Sequence, residues 1–105
     1  MNKVITLPKS DILYKYSNPQ IAQQKANKYL GPNIILYKSN AKNKKYAIID
    51  PNNHIVNFGQ LGYSDYTKTK DPVKQKHYLT RSAKIKGNWS NNKYSPNNLS
   101  RNILW

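Results

Sequence analysis

Apolar positions along this chain fall in short runs whose period changes several times, with polar or Pro/Gly punctuation between them. The clearest helical period follows Ser17-Asn18-Pro19. There a side-chain oxygen can cap free N–H groups and Pro presets the φ of the first turn. Ala22, Ala26, Tyr29 and Leu30 then share one face, Gln20, Gln24 and Asn27 lie opposite, and Gly31-Pro32 supplies a stop, which predicts a helix over 19–30. Asn33 to Lys38 and Lys45 to Asp50 are β-rich and too short for helices, and the polar turn Ser39 to Lys44 between them predicts a hairpin. Asp50-Pro51-Asn52-Asn53 reads as a tight turn, with Pro at its second position and Asn tolerating a strained third, and His54 to Phe58 reads as a third strand.

The remaining segments have weaker patterns. Gly59 to Lys70 reads as a loop, because two glycines and a Ser-Asp pair break any period. Asp71-Pro72 repeats the cap-plus-proline device and predicts a helix to about Lys86, before Gly87, with Leu79 and Ala83, flanked by Tyr78 and Ile85, on its apolar side. After a polar loop around Trp89, Ser95-Pro96 caps a last short helix through Leu99, Ile103, Leu104 and Trp105. Val4 to Leu7 and Ile12 to Tyr16 alternate briefly, as edge strands or an extended arm would. The expected fold is α+β, a small antiparallel three-stranded meander with two or three helices, in one domain over 17–105 behind an extended N-terminal arm over 1–16. The arm is expected to be more dispensable than Leu99 to Trp105.

Composition adds one strong feature. The 105 residues carry 18 Lys+Arg against 4 Asp+Glu, a formal net charge of +14, so positive potential must cover much of the surface. Nucleic acid, an acidic protein face and a membrane surface are the candidate polyanions. An AT-rich coding genome would also favour this Lys and Asn usage. With nine Tyr and aromatics at 11%, the chain has too much potential core to be a disordered basic tail. Cys is absent, which leaves neither a disulfide framework nor a thiolate zinc site. No run approaches the length of a membrane span and no apolar signal segment opens the chain, so a protein that is not secreted is expected.

On the second predicted helix Lys74, His77, Arg81 and Lys84 form one stripe, with Lys68, Lys70 and Lys86 nearby, a pattern that can track phosphates. Such a stripe also serves simply to keep a helix soluble. Tyr63, Tyr66 and Trp89 are candidates for stacking on exposed bases, against the plainer role of closing a small core. Ile103, Leu104 and Trp105 form a candidate partner anchor if they do not dock onto the domain. Asp65, Asp71 and His77 are the only acid and imidazole groups close enough in sequence to suggest a metal or general-acid site, and Asp71 already has a role as a cap. Catalysis, a metal and a cofactor are therefore not expected, and Gly59 and Gly62 are too few for a phosphate-cradling loop.

From Phe58 onward the chain resembles a family of short, basic, uncharacterised proteins of nucleocytoplasmic large DNA viruses, the giant viruses. The likeness is carried by Phe58-Gly59, Gly62-Tyr63-Ser64-Asp65-Tyr66-Thr67, Lys70-Asp71-Pro72, Tyr78, Arg81, Trp89, Ser100-Arg101 and Leu104-Trp105. The family pattern has Arg-His where Arg81-Ser82 stands and Thr-Ala-Gly where Pro96-Asn97-Asn98 stands. The resemblance implies a viral setting, in a virion or a virus factory in the host cytoplasm, and no activity. The expected function is binding of DNA or RNA through the basic face with little sequence specificity. The alternative is a structural virion protein, a minor capsid or core component bridging acidic protein surfaces.

Overall fold

Neighbouring strands in sequence are neighbours in space. A computed structural model describes residues 1–105 and pairs β1 (Tyr37–Lys38), β2 (Lys44–Ile49) and β3 (Ile55–Gln60) in an antiparallel sheet of order β1-β2-β3. The expected α+β meander is present. Tyr37 lies opposite Ala47, and Lys44, Tyr46 and Ile48 lie opposite Gln60, Phe58 and Val56. Lys45 to Ile48 are all buried, and because successive strand side chains point to opposite faces, β2 is covered on both sides. In the turn before β3 the left-handed residue is Asn53 (φ 66°), one position later than expected.

Five α-helical segments surround the sheet: α1 (Leu13–Tyr16), α2 (Pro19–Leu30), α3 (Tyr66–Thr69), α4 (Pro72–Ala83) and α5 (Pro96–Leu99), the last running into a π-helical turn over Ser100–Leu104. The start of α2 is as expected, with the Asn18 side chain accepting from the backbone N–H groups of Gln20 and Ile21. Its Ala22 and Ala26 are fully buried, and these small residues let the helix approach the C-terminal turn closely. Tyr46, Ile48, Phe58, Leu36, Leu99, Ile103 and Leu104 complete the centre of the core.

The first strand is much shorter than the expected 33–38. The Leu36 N–H is donated to the Gln23 side chain and the Leu36 carbonyl accepts from Val4, while the Gln23 and Asn27 amides donate to the Ile34 carbonyl. With those groups satisfied by α2 and the N-terminus, only Tyr37 and Lys38 remain to pair with β2.

Residues 1–16 are not a free extended arm. Lys3 bridges to Tyr37, Val4–Thr6 forms a 3-10 turn, and Leu13 begins a helical turn capped by the Asp11 carboxylate. Val4 and Leu13 are each 1% exposed members of the core. Two segments read as alternating are thus single apolar residues reaching inward from turns, which short windows cannot distinguish from strands.

Two further expectations are corrected. The 59–70 loop contains α3, opened by Asp65 accepting from the Thr67 N–H and closed by Lys70 in the left-handed conformation (φ 52°). The helix α4 stops at Ala83, and its inward side is Gln75, Tyr78, Leu79 and Ser82; Ala83 and Ile85 are exposed. The reason is the position of the C-terminal segment. Tyr78 stacks on Trp105 at 4.4 Å, the Gln75 amide donates to the Trp105 carbonyl, and Asn97 donates to the Ser82 carbonyl.

Candidate nucleic-acid interface

Asp71 accepts from the Val73 and Lys74 N–H groups and so fixes the start of α4. Helical spacing then puts Lys74, His77 and Arg81 on one side, with Lys84 at the C-cap; all four are exposed. Lys70 and Lys86 are exposed at either side of the helix. Lys68, on α3, faces a different place, a shallow cleft shared with Lys9, Lys15 and Asp11. The structure therefore groups the stripe as expected and assigns Lys68 to a second cationic cluster.

The electrostatics of the stripe follow from where the four carboxylates are. Asp11 binds Lys38 at 2.8 Å, and Asp50 accepts from the Asn52 and His54 N–H groups within its own turn. Asp65 is buried against Lys45, and Asp71 caps α4. Only Lys38 and Lys45 among the Lys and Arg form a salt bridge, so no carboxylate neutralises Lys74, Arg81 or Lys84.

Asp65, a candidate for acid chemistry, is a buried structural group. Its Oδ2 accepts from the Lys45 Nζ at 2.9 Å and its Oδ1 from the Thr67 N–H and hydroxyl. The Thr67 hydroxyl meets Ser17, and the Tyr46 hydroxyl donates to Ser17 at 2.7 Å, so one polar network joins β2, α3 and the start of α2. Burial pushes the Lys45 ammonium below its ordinary range, against the opposing pull of Asp65. His77 and Asp71 do not join this network, and no three His or Asp side chains converge on one point.

Beside the pair lies a groove of about 540 Å³ between the end of β3, the Tyr63 loop, α4 and the C-terminal segment. Lys44, Gly59, Tyr63, Tyr78, Arg81 and Trp105 are among its lining residues, and none of the lining residues is acidic. Gly59 is required there twice over. Its φ is +81°, and an added Cβ would lie 2.9 Å from Leu104 Cδ1 and 3.2 Å from the Lys45 Cβ.

The aromatic candidates separate. Tyr63 is 70% exposed at the groove, free to stack. Tyr66 is half-buried with the Lys25 ammonium over its ring, and Trp89 has Arg101 over its ring at 5.5 Å and donates its Nε1 to the Ile85 carbonyl at 2.6 Å. Of the two roles open to the C-terminal residues, docking onto the domain is the one adopted, and they are not a free partner anchor. Ile103 and Leu104 are at most 1% exposed within the core, and Trp105 is half-buried on Tyr78. Sequence reasoning missed Lys44, Lys45 and Gly59 because their roles depend on cross-strand register. The available signal was a second Lys directly preceding Tyr-Ala-Ile-Ile in a strand.

No curated protein and no solved structure matches the chain. From residue 34 to residue 82, a stretch holding the whole sheet, the Lys45–Asp65 pair, Tyr63 and the stripe up to Arg81, the chain is similar to a protein family described as a "Family of unknown function (DUF5754)".

Proposed function

We propose that this protein binds nucleic acid, DNA or RNA, through the exposed cations of α4 and its flanks, with little sequence specificity. The observation that carries the reading is the placement of the acids: none of the four Asp side chains forms an ion pair with Lys74, Arg81 or Lys84, and Asp71, at the start of the same helix, caps backbone N–H groups instead. Phosphates are the natural partners of such a face, and each one neutralised releases counterions. Contacts to a uniform backbone carry no sequence information. The bridging role in a virion has less support, because the apolar end it needs is occupied by the core. The setting proposed with this function, a virion or virus factory, rests on the resemblance over Phe58 to Trp105 alone.

Salt dependence tests it. Contact with about five phosphates should give log K against log salt a slope of about −4.5 on duplex DNA. Replacing Lys74 and Lys84 together by Ala should flatten the slope by about two units, without unfolding, since both are exposed. An unchanged slope would move the binding face elsewhere, and no binding at low salt would refute the reading.

A further inference from the structure

The groove beside α4 is a separate feature from the stripe, although Arg81 belongs to both. A duplex presents phosphates on its outside and hides the faces of its bases in the stack. Contact with the stripe alone therefore leaves the groove without a role. Its chemistry is specific: aromatic walls from Tyr63, Tyr78 and Trp105, two exposed cations, Lys44 and Arg81, and no Asp or Glu side chain. Its volume falls within the range of small-ligand sites. A planar group carrying negative charge on a flexible chain fits those walls, and an unpaired nucleotide is such a group.

Resting on the nucleic-acid reading above, we propose that the groove between the Tyr63 loop and α4 takes unpaired bases of a single strand, with Tyr63 as the stacking face and Arg81 and Lys44 holding the adjoining phosphates. Three features favour it. Tyr63 is 70% exposed, so its ring face is open, unlike those of Tyr66 and Trp89. The Tyr78–Trp105 stack, with rings 9° from parallel, makes a rigid wall. Gly59 lets the end of β3 lie directly against Leu104 and Lys45, where an added Cβ would meet Leu104 Cδ1 at 2.9 Å, so the floor of the groove is fixed by close packing. Stacking on an aromatic face accepts every base, so the groove would add preference for single strands without adding sequence specificity.

The test uses the whole chain, a labelled thymidylate oligomer of about 12 nucleotides and a duplex of equal length. Tyr63 is exposed, so Tyr63→Ala should fold normally. It should weaken single-strand binding about 5- to 150-fold, the equivalent of ~1–3 kcal/mol per stacked base, while duplex binding changes less than about twofold. Tyr63→Phe should retain the single-strand affinity. In Trp89→Phe, Trp105 is the remaining tryptophan, and its fluorescence should be quenched by the single strand and not by the duplex. Equal effects of Tyr63→Ala on both oligomers, or no quenching, would overturn the groove proposal while the salt-dependent basic face stood. Binding of neither oligomer at low salt would overturn both readings. Poly-glutamate quenching Trp105 as well as the oligomer does would also overturn base docking, because the groove would then be selecting charge alone.

Discussion

Replacing Asp65 by asparagine changes one charge and little else. The new side chain has the same size and an oxygen that can still cap α3. What disappears is the counter-charge of Lys45, held at 2.9 Å with the two side chains 3% and 0% exposed. A buried ammonium without a partner must either stay charged in a poor solvent or release its proton. Removing one partner of a buried pair costs ~3–5 kcal/mol, a large part of the ~5–15 kcal/mol that stabilises a domain. At ~4–8 °C per kcal/mol, the melting midpoint should fall by at least ~12 °C.

The sign of the pH dependence distinguishes this cause from general damage. Burial already lowers the Lys45 pKa, and Asp65 resists that shift. With Asp65 neutral the folded-state value falls further, whereas in the unfolded chain it stays near ~10.4. Between those two values the unfolded chain holds one more proton, so the stability of Asp65→Asn rises with pH by up to ~1.4 kcal/mol per unit. Urea unfolding of the two proteins between about pH 7 and pH 9 should therefore show their difference narrowing as pH rises. A difference below ~1 kcal/mol at neutral pH, or one that widens with pH, would refute the account of the pair.

Gly59→Ala should destabilise by ~2–4 kcal/mol, from left-handed strain plus overpacking against Leu104 and Lys45; Gly62→Ala, with φ +101° but open space around it, should cost only the strain, and equal urea midpoints for the two would count against the tight fit at Gly59. Deleting residues 1–16 should lower stability by ~3–6 kcal/mol, since Val4 and Leu13 are lost from the core at ~1.5–3 kcal/mol each, and an unchanged thermal midpoint would show the segment to be dispensable after all. Burial, against its hydrogen bond to Ser17, holds the Tyr46 hydroxyl far above the ordinary tyrosine range, so its stabilising contribution is complete below about pH 10 and is lost as pH rises beyond that. Across alkaline unfolding Tyr46→Phe should accordingly lose less stability than the wild type, and parallel pH profiles would contradict this.

Features set by local chemistry were legible in the sequence. Asn18-Pro19 and Asp71-Pro72 announce helices because a cap and a preset φ act within a few residues. The hairpin and the turn at Asp50 to Asn53 are local in the same sense. What was hidden depended on partners distant along the chain. Ser64-Asp65 reads as loop until Lys45, twenty positions earlier, reaches the carboxylate. Asn33 to Leu36 have strand-forming residues but give their backbone groups to Gln23, Asn27 and Val4. The cationic stripe was readable because exposure needs no partner, whereas the groove needs β2, β3, the Tyr63 loop, α4 and the C-terminal segment to meet.

The apolar side of α4 was misjudged for the same reason, and the correction bears on function. Of its inward residues Gln75, Tyr78, Leu79 and Ser82, only Leu79 is wholly apolar, so hydrophobic spacing found Leu79 and its neighbour Tyr78 but not Gln75 and Ser82. They are met by polar and aromatic groups of the C-terminal segment: Trp105 against Tyr78 and Gln75, Asn97 on the Ser82 carbonyl, and the Arg101 guanidinium on the Leu79 carbonyl and the Ser82 hydroxyl. The two arginines thus have opposite duties. Arg101 is turned inward, under Trp89, and fastens the helix; Arg81, on the exposed side of that same helix, is left without an internal partner. A cationic face held by hydrogen bonds and one aromatic stack keeps its orientation without burying its own charges. The core residues Leu99, Ile103 and Leu104 anchor the segment that does the holding, so the proposed binding face depends on the apolar end of the chain through Arg101 and Trp105 and not through any contact of its own with the core.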